Sequence, residues 1–219
     1  MPIFAMSVFL LPRNTCDSIE KIMNRFWWEN GGNSGRGIHW ASWLRLAVPK
    51  KCDGMGFKRL HEFNVALVAK QGWRILSKPF SLVSQILKEK YFPKVCFLDS
   101  QVGHNPRYLW RSIHAGQAIL REGVIRRIGD GTDTLIWGRP WVADASNGAL
   151  RTPCVEELRE AKVSNLMTPD GEWDLDVIQD LFLEPDIVRI LNTPISPQHR
   201  DAWCWYHDMK GVYSVKHGY

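Results

Sequence analysis

No uninterrupted apolar run in this 219-residue chain approaches the roughly 20 residues that a membrane-crossing helix needs. The opening MPIFAMSVFLLP has neither a basic leader nor a small-residue cleavage site, so the sequence predicts a chain that is neither anchored in a bilayer nor exported. Cysteine is scarce and odd in number. Cys16, Cys52, Cys96, Cys154 and Cys204 lie dozens of residues apart with no C-x-x-C, which argues against a disulfide framework or a zinc ribbon and for a reducing compartment. Nucleotide-binding glycine motifs fail as well: after Gly129 and Gly131 a dinucleotide fingerprint needs a third glycine where Thr134 stands, and no G-K-[ST] follows any glycine loop. Spacing assigns no Ser-His-Asp or Cys-His arrangement, because triads are set by geometry.

What is present is apolar mass and uneven charge. The chain is 45% apolar, enough for one or two compact cores. Its net charge of +5 hides a division. Met1 to Asp130 carries 20 Lys/Arg against 9 Asp/Glu, whereas Gly131 to Tyr219 carries 8 against 14. A basic half of that excess attracts polyanions, since each neutralised phosphate releases condensed counterions.

Periodicity predicts four helices in the basic half. In 14–30, Ile19, Ile22, Met23, Phe26 and Trp27 share one face; 60–79 is apolar around most of its circumference and stops before Pro79; 80–93 points Val83, Ile86, Leu87 and Tyr91 inward; 105–123 takes Asn105 as N-cap and Gly123 as its end. The stretch GGNSGRG, 31–37, reads as a flexible loop, and Asp53-Gly54 as a turn. Within RRIGDGTDTLIWGRPWV, Val124 to Ile128 and Thr134 to Trp137 are rich in strand formers and flank Gly129-Asp130-Gly131, which predicts a β-hairpin. Thr152 and Pro153 resemble a cap and first-turn proline, two short helices divided by Pro185 follow, and 201–219 alternates like a hairpin whose continuation is missing. The predicted fold is therefore mainly α with small β-hairpins: a basic helical body over 1–143, an acidic linker with short helices over 144–200, and a truncated hairpin over 201–219.

The segments FWWENGGNSGRGIHWASW, FNVALVAKQGWRI, LKEKYFP, WRSIHAG, RRIGDGTDTLIWGRPWV and DAWCWYHDMKGVYSVKHGY resemble, in order and over nearly the whole chain, the region downstream of the polymerase core in polyproteins of plant non-long-terminal-repeat retrotransposons. Similar segments stand alone as plant mitochondrial reading frames. The resemblance implies that Met1 to about Trp141 is thumb-like and connecting, and that Asp201 to Tyr219 begins a zinc-binding segment whose ligands follow Tyr219. It implies a nuclear or mitochondrial setting. It also implies polymerase chemistry elsewhere, since that needs adjacent acidic residues to seat divalent metal, and this chain has no Asp-Asp pair. Where the family has an aromatic, a small polar and an acidic residue, this chain has Arg126, Arg107 and Arg139, which add positive charge around the predicted hairpin.

The expected activity is non-specific RNA or DNA binding without catalysis, cofactor, metal or small-molecule substrate. Lys70, Arg74 and Lys78, four residues apart on one helix, are the foremost candidate phosphate contacts, followed by Arg126 and Arg127, then Lys88 and Lys90. Most of the eleven tryptophans are expected in the core, with Trp28 and Trp40 as exceptions able to stack on bases. A metal site from Cys204, His207, His199 and His217 is disfavoured by spacing, and Asp170, Asp174, Asp176 and Asp180 are expected to cap helices rather than bind calcium. Two other readings stay open: a piece that works with a reverse transcriptase core supplied by another chain, and a remnant with no biochemical role.

Overall fold

The computed structural model describes residues 3–29, 38–142 and 148–219, so the predicted 31–37 loop lies outside the described residues. In chain order the elements are α1 (Ile3–Met6), α2 (Arg13–Glu29), α3 (Trp43–Leu46), α4 (Leu60–Ser77), α5 (Leu82–Tyr91), α6 (Tyr108–Ala115), α7 (Gln117–Gly123), β1 (Val124–Arg127), α8 (Leu175–Leu181), α9 (Glu184–Leu191), β2 (Ala202–Trp205) and α10 (Val215–Gly218). They form two compact units. Met1–Arg121 with Ser214–Tyr219 make the first, and Glu122–Tyr213 make the second, so the sequence-based divisions at 143/144 and 200/201 fall inside the second unit.

The first unit is built around α4, whose apolar circumference becomes its core: Leu60, Ala66, Leu67, Val68, Ala69, Trp73, Ile75 and Leu76 are all buried. It ends at Ser77 with Lys78 as C-cap, as Pro79 requires. Buried Asn64 on this helix accepts from the Leu11 N–H (2.7 Å) and donates to the Met6 and Phe9 carbonyls, tying the N-terminal turn to the helix. Met6, Cys16, Leu60 and Leu67 form a cluster that α10 closes through Val215.

Three sequence expectations for this unit are corrected. The helix predicted over 105–123 is two, α6 and α7, parted at Gly116, and Arg107 rather than Asn105 holds the N-cap position. The reason is packing: a Cβ on Gly116 would lie 2.5 Å from the Ala69 Cα, so the chain turns where it presses on α4. On α5, Ser84 and Leu87 are buried while Val83 and Ile86 are exposed, which leaves its inward face narrower than the apolar pattern suggests. On α2, Cys16 and Ile19 turn inward beside Glu20, whose Oε1 accepts from the Leu60 N–H; Ile22, Phe26 and Trp27 stay exposed.

The second unit has little regular structure. Ile128, Ile136, Trp141, Val142, Val163, Leu166, Ile178, Phe182 and Ile190 make its core. Helices α8 and α9 form as predicted, though Pro185 lies in the first turn of α9 rather than between them, and Asp174 caps α8 by accepting from the Val177 N–H (3.2 Å). The helix predicted from Thr152 is absent: 156–158 and 163–166 are single 3-10 turns, and Thr152 is buried with its N–H (2.6 Å) and hydroxyl (2.7 Å) both donated to Asp186 Oδ2. A cap accepts from an N–H of its own helix, and here the threonine hydroxyl donates to a carboxylate and accepts from the distant Leu183 N–H (3.1 Å).

Neither predicted hairpin forms. β1 pairs antiparallel with β2, Val124 opposite Trp205 and Arg127 opposite Ala202, not with 134–137. The Arg126 N–H donates to the Pro140 carbonyl (2.7 Å), and Leu135 bridges to Lys162. In the last segment, β2 runs into a turn at Asp208, whose Oδ2 accepts from the Lys210 and Val212 N–H groups. Tyr213 then buries its ring edge-on to Trp205, and 215–218 is helical. In both places a distant partner outcompetes the local one.

Candidate nucleic-acid interface

The two units divide the charge more sharply than the two halves of the sequence do. The first carries 19 Lys/Arg against 7 Asp/Glu, net +12, and the second 9 against 16, net −7. Few of the basic side chains in the first unit are neutralised: the ion pairs there are Arg25 with Glu29 (3.6 Å) and Arg59 with Glu62 (2.8 Å), both exposed, among the described residues.

Lys70, Arg74 and Lys78 lie on the C-terminal half of α4 and at its cap. At four-residue spacing, successive charges stand about 6 Å apart along the axis on one face. Lys70 is half-buried, and Arg74 and Lys78 are exposed. Arg74 Nη1 donates to Gln71 Oε1 (3.1 Å), which steers the guanidinium without discharging it. None of the three makes an ion pair among the described residues. Lys88 and Lys90 are exposed in the last turn of α5, with Lys90 Nζ 5.5 Å from the Tyr91 ring centroid. They belong to a different helix from the α4 stripe.

Trp40 is 74% exposed. Trp28 is half-buried, and its indole N–H donates to Asn24 Oδ1 (3.0 Å) and the Ala41 carbonyl (3.2 Å), so its polar edge is committed within the fold. Trp27, expected in the core, is instead 46% exposed.

Arg126 has a different fate. It is buried, its Nε donates to Thr134 Oγ1 (3.1 Å), its guanidinium lies 4.0 Å from Asp201 Oδ2, and it stacks 4.8 Å above the Trp203 ring, its cross-strand neighbour. A side chain so engaged is withdrawn from a solvent-borne phosphate. Arg127, the next residue on the ribbon, faces the other way and is exposed.

The residue that sequence reasoning missed is Asp201. Its side chain is fully buried and accepts four hydrogen bonds from the Gly-Asp-Gly turn: Gly129 N–H (2.7 Å) and Gly131 N–H (3.0 Å) on Oδ1, Asp133 N–H (3.1 Å) and the Thr134 hydroxyl (2.7 Å) on Oδ2. The turn does grip an anion, and the anion is the protein's own carboxylate. Successive N–H groups converging from a glycine turn make such a concavity. Both glycines are sterically required: Gly131 has φ +70, and a Cβ on Gly129 would lie 2.2 Å from the His199 carbonyl oxygen. The available signal was the convergent turn itself, but nothing in the sequence pointed to residue 201 as its guest.

Asp186 repeats the device. Fully buried, it accepts from the Arg151 N–H (2.7 Å), from Thr152 twice, and from Arg189 Nη1 (2.6 Å). Burial alone would raise its pKa, but these hydrogen bonds outweigh that and hold its carboxyl below the usual carboxylate range. Burial pushes the Cys204 thiol up, which disfavours the thiolate a metal would take. Among the described residues no group of three or more His, Cys, Asp and Glu is placed to hold a metal ion, and no helix is long and apolar enough to cross a membrane.

No family profile matches the chain, and no solved structure does. Two curated proteins of Arabidopsis thaliana do. One, named "Putative ribonuclease H protein At1g65750", is 26% identical over the full length of this chain, which spans 36% of that protein. The other, an uncharacterized mitochondrial protein, AtMg00310, is 41% identical over 145 residues, covering 66% of this chain and 94% of that protein. With that identity running through nearly all of the shorter relative, the chain belongs to the family of AtMg00310.

Proposed function

We propose that the chain is a retroelement-derived fragment whose first unit holds RNA or DNA by backbone phosphates, without reading sequence and without nucleotidyl-transfer or nuclease chemistry of its own. The observation that carries this is the concentration of charge by unit: +12 on the helical unit, with Lys70, Arg74, Lys78, Lys88 and Lys90 outside any ion pair among the described residues. Similarity to a protein named for ribonuclease H supports a nucleic-acid context, and the absence of any Asp-Asp pair supports the lack of polymerase chemistry. The finer placement, downstream of a polymerase core in a plant retrotransposon polyprotein, is part of this reading and rests on the segments from FWWENGGNSGRGIHWASW to the C-terminus.

The test is a salt-titrated gel shift of a labelled single strand by the purified chain. Each phosphate contact adds about −0.7 to the slope of log affinity against log salt. A steep slope with little dependence on base sequence is expected; a flat one overturns the proposal. The match that extends through the entire chain to a longer relative favours one second reading, an accessory piece beside a catalytic chain. Co-purification with reverse transcriptase or ribonuclease H activity that vanishes on depletion of this chain would select it.

A further inference from the structure

A cationic recess lies in the acidic second unit. A cleft of about 310 Å³ opens where the end of β1 meets the approach to β2, and its lining includes Arg127, Ser196, His199 and Arg200 but no acidic residue. Backbone sets its walls. Gly129 is in contact with the His199 and Arg200 backbone, leaving no room for a side chain. Arg200 adjoins Asp201, which is tied to the Gly129 and Gly131 N–H groups, and Arg127 is fixed in register opposite Ala202. The two arginines that line the cleft therefore stand on segments locked to each other. Arg127, His199 and Arg200 are exposed, and neither arginine makes an ion pair among the described residues. An opposing charge that Arg200 meets is Asp130, whose carboxyl is held below its usual range by the Thr132 N–H and hydroxyl and, to a smaller degree, by Arg200.

We infer that this cleft is a phosphate site, in which Arg127 and Arg200 share one phosphate group and Ser196 and His199 supply further donors. Guanidinium forks match phosphate oxygens in pairs, which a lysine cannot do, and both charges at this recess are arginine. The ligand chemistry is a phosphate mono- or diester, carried by a nucleic-acid strand or by a free small phosphate. The inference does not rest on the α4 stripe, which belongs to the other unit.

Binding to the full chain is measured by isothermal titration with inorganic phosphate, and with a short oligonucleotide bearing or lacking a 5′-phosphate. Arg127→Gln with Arg200→Gln is expected to weaken phosphate binding about tenfold or more, the scale of charged hydrogen bonds. Asp130→Asn, which keeps an acceptor for Thr132 while removing the competing charge, is expected to tighten it severalfold; this gain guards against a loss caused by misfolding. Lys70→Gln with Arg74→Gln and Lys78→Gln is expected to leave inorganic phosphate binding unchanged even where it abolishes the gel shift. Displacement of bound inorganic phosphate by the 5′-phosphorylated strand alone assigns the site to strand ends, displacement by both strands assigns it to internal diesters, and displacement by neither assigns it to free phosphates. No binding of inorganic phosphate at millimolar concentration, or equal binding by the wild type, the double arginine variant and Asp130→Asn, overturns the inference.

Discussion

The helical unit and the acidic unit are held together by different physics. The first rests on one long apolar helix, α4, against which others pack, and its charges stay outside in water. The second has short elements, and much of its order comes from two buried carboxylates, Asp186 and Asp201, each drawing in donors from segments about 35 and 70 residues away. Where apolar packing suffices, charge is left over for a partner. Where buried carboxylates join it, part of the charge is consumed internally, and Arg126 shows the consequence: a basic residue in the acidic unit that serves the fold.

The sharpest way to break that contrast is Asp201→Ala, which leaves two N–H groups and the buried Thr134 hydroxyl, along with the Asp133 N–H, without their acceptor. At about 1–3 kcal/mol for each buried unmet donor, a loss of about 3–5 kcal/mol is expected, read by urea denaturation followed through tryptophan near-UV dichroism. Equal loss of helical far-UV signal at the same midpoint would show that the units do not have separate supports. Asp186→Asn comes next, at about 2–3 kcal/mol, since it turns one acceptor oxygen into a donor facing donors. Its effect depends on pH. The folded carboxyl titrates below its unfolded value of about 4, so it stabilises fully above that value and the contribution fades as pH falls through the folded one. Stability of the asparagine variant should lack that acid-side decline.

Gly116→Ala tests packing in the helical unit instead, because its Cβ would fall 2.5 Å from the Ala69 Cα; an overpacking cost of about 1–3 kcal/mol is expected in thermal melts. The smallest change in stability, within about 0.5 kcal/mol, belongs to Lys70→Gln with Arg74→Gln and Lys78→Gln. If those side chains touch phosphate, the salt slope of single-strand binding should fall by about 2. A variant that loses stability but keeps its slope would place the stripe in the fold rather than at a partner.

Legibility in the sequence followed the range of the interactions. Helix α4 was readable to within a residue because its apolar pattern, its length and Pro79 are all local, and α8 and α9 were readable for the same reason. The hairpin expected over 124–137 had equally good local signals, yet β1 pairs with Ala202–Trp205, because the convergent turn is satisfied by a carboxylate that no short window contains. Inward faces failed for a related reason. Ile22, Phe26, Val83 and Ile86 follow helical spacing, but spacing reports that a face is apolar, not that a neighbour covers it. Of the candidate contacts, the stripe on α4 could be placed from spacing alone, whereas the inward turn of Arg126 required knowledge of its cross-strand tryptophan and of Asp201.

The pairing of β1 with β2 also sets a timetable. Residues 75 to 81 positions apart must meet before the second unit closes, and the first unit waits longer still for Val215 to reach Met6 and Cys16. A ribosome adding about 5–20 residues per second therefore exposes unfinished surface of the second unit until Ala202–Trp205 has been synthesised, and of the first until Val215 has.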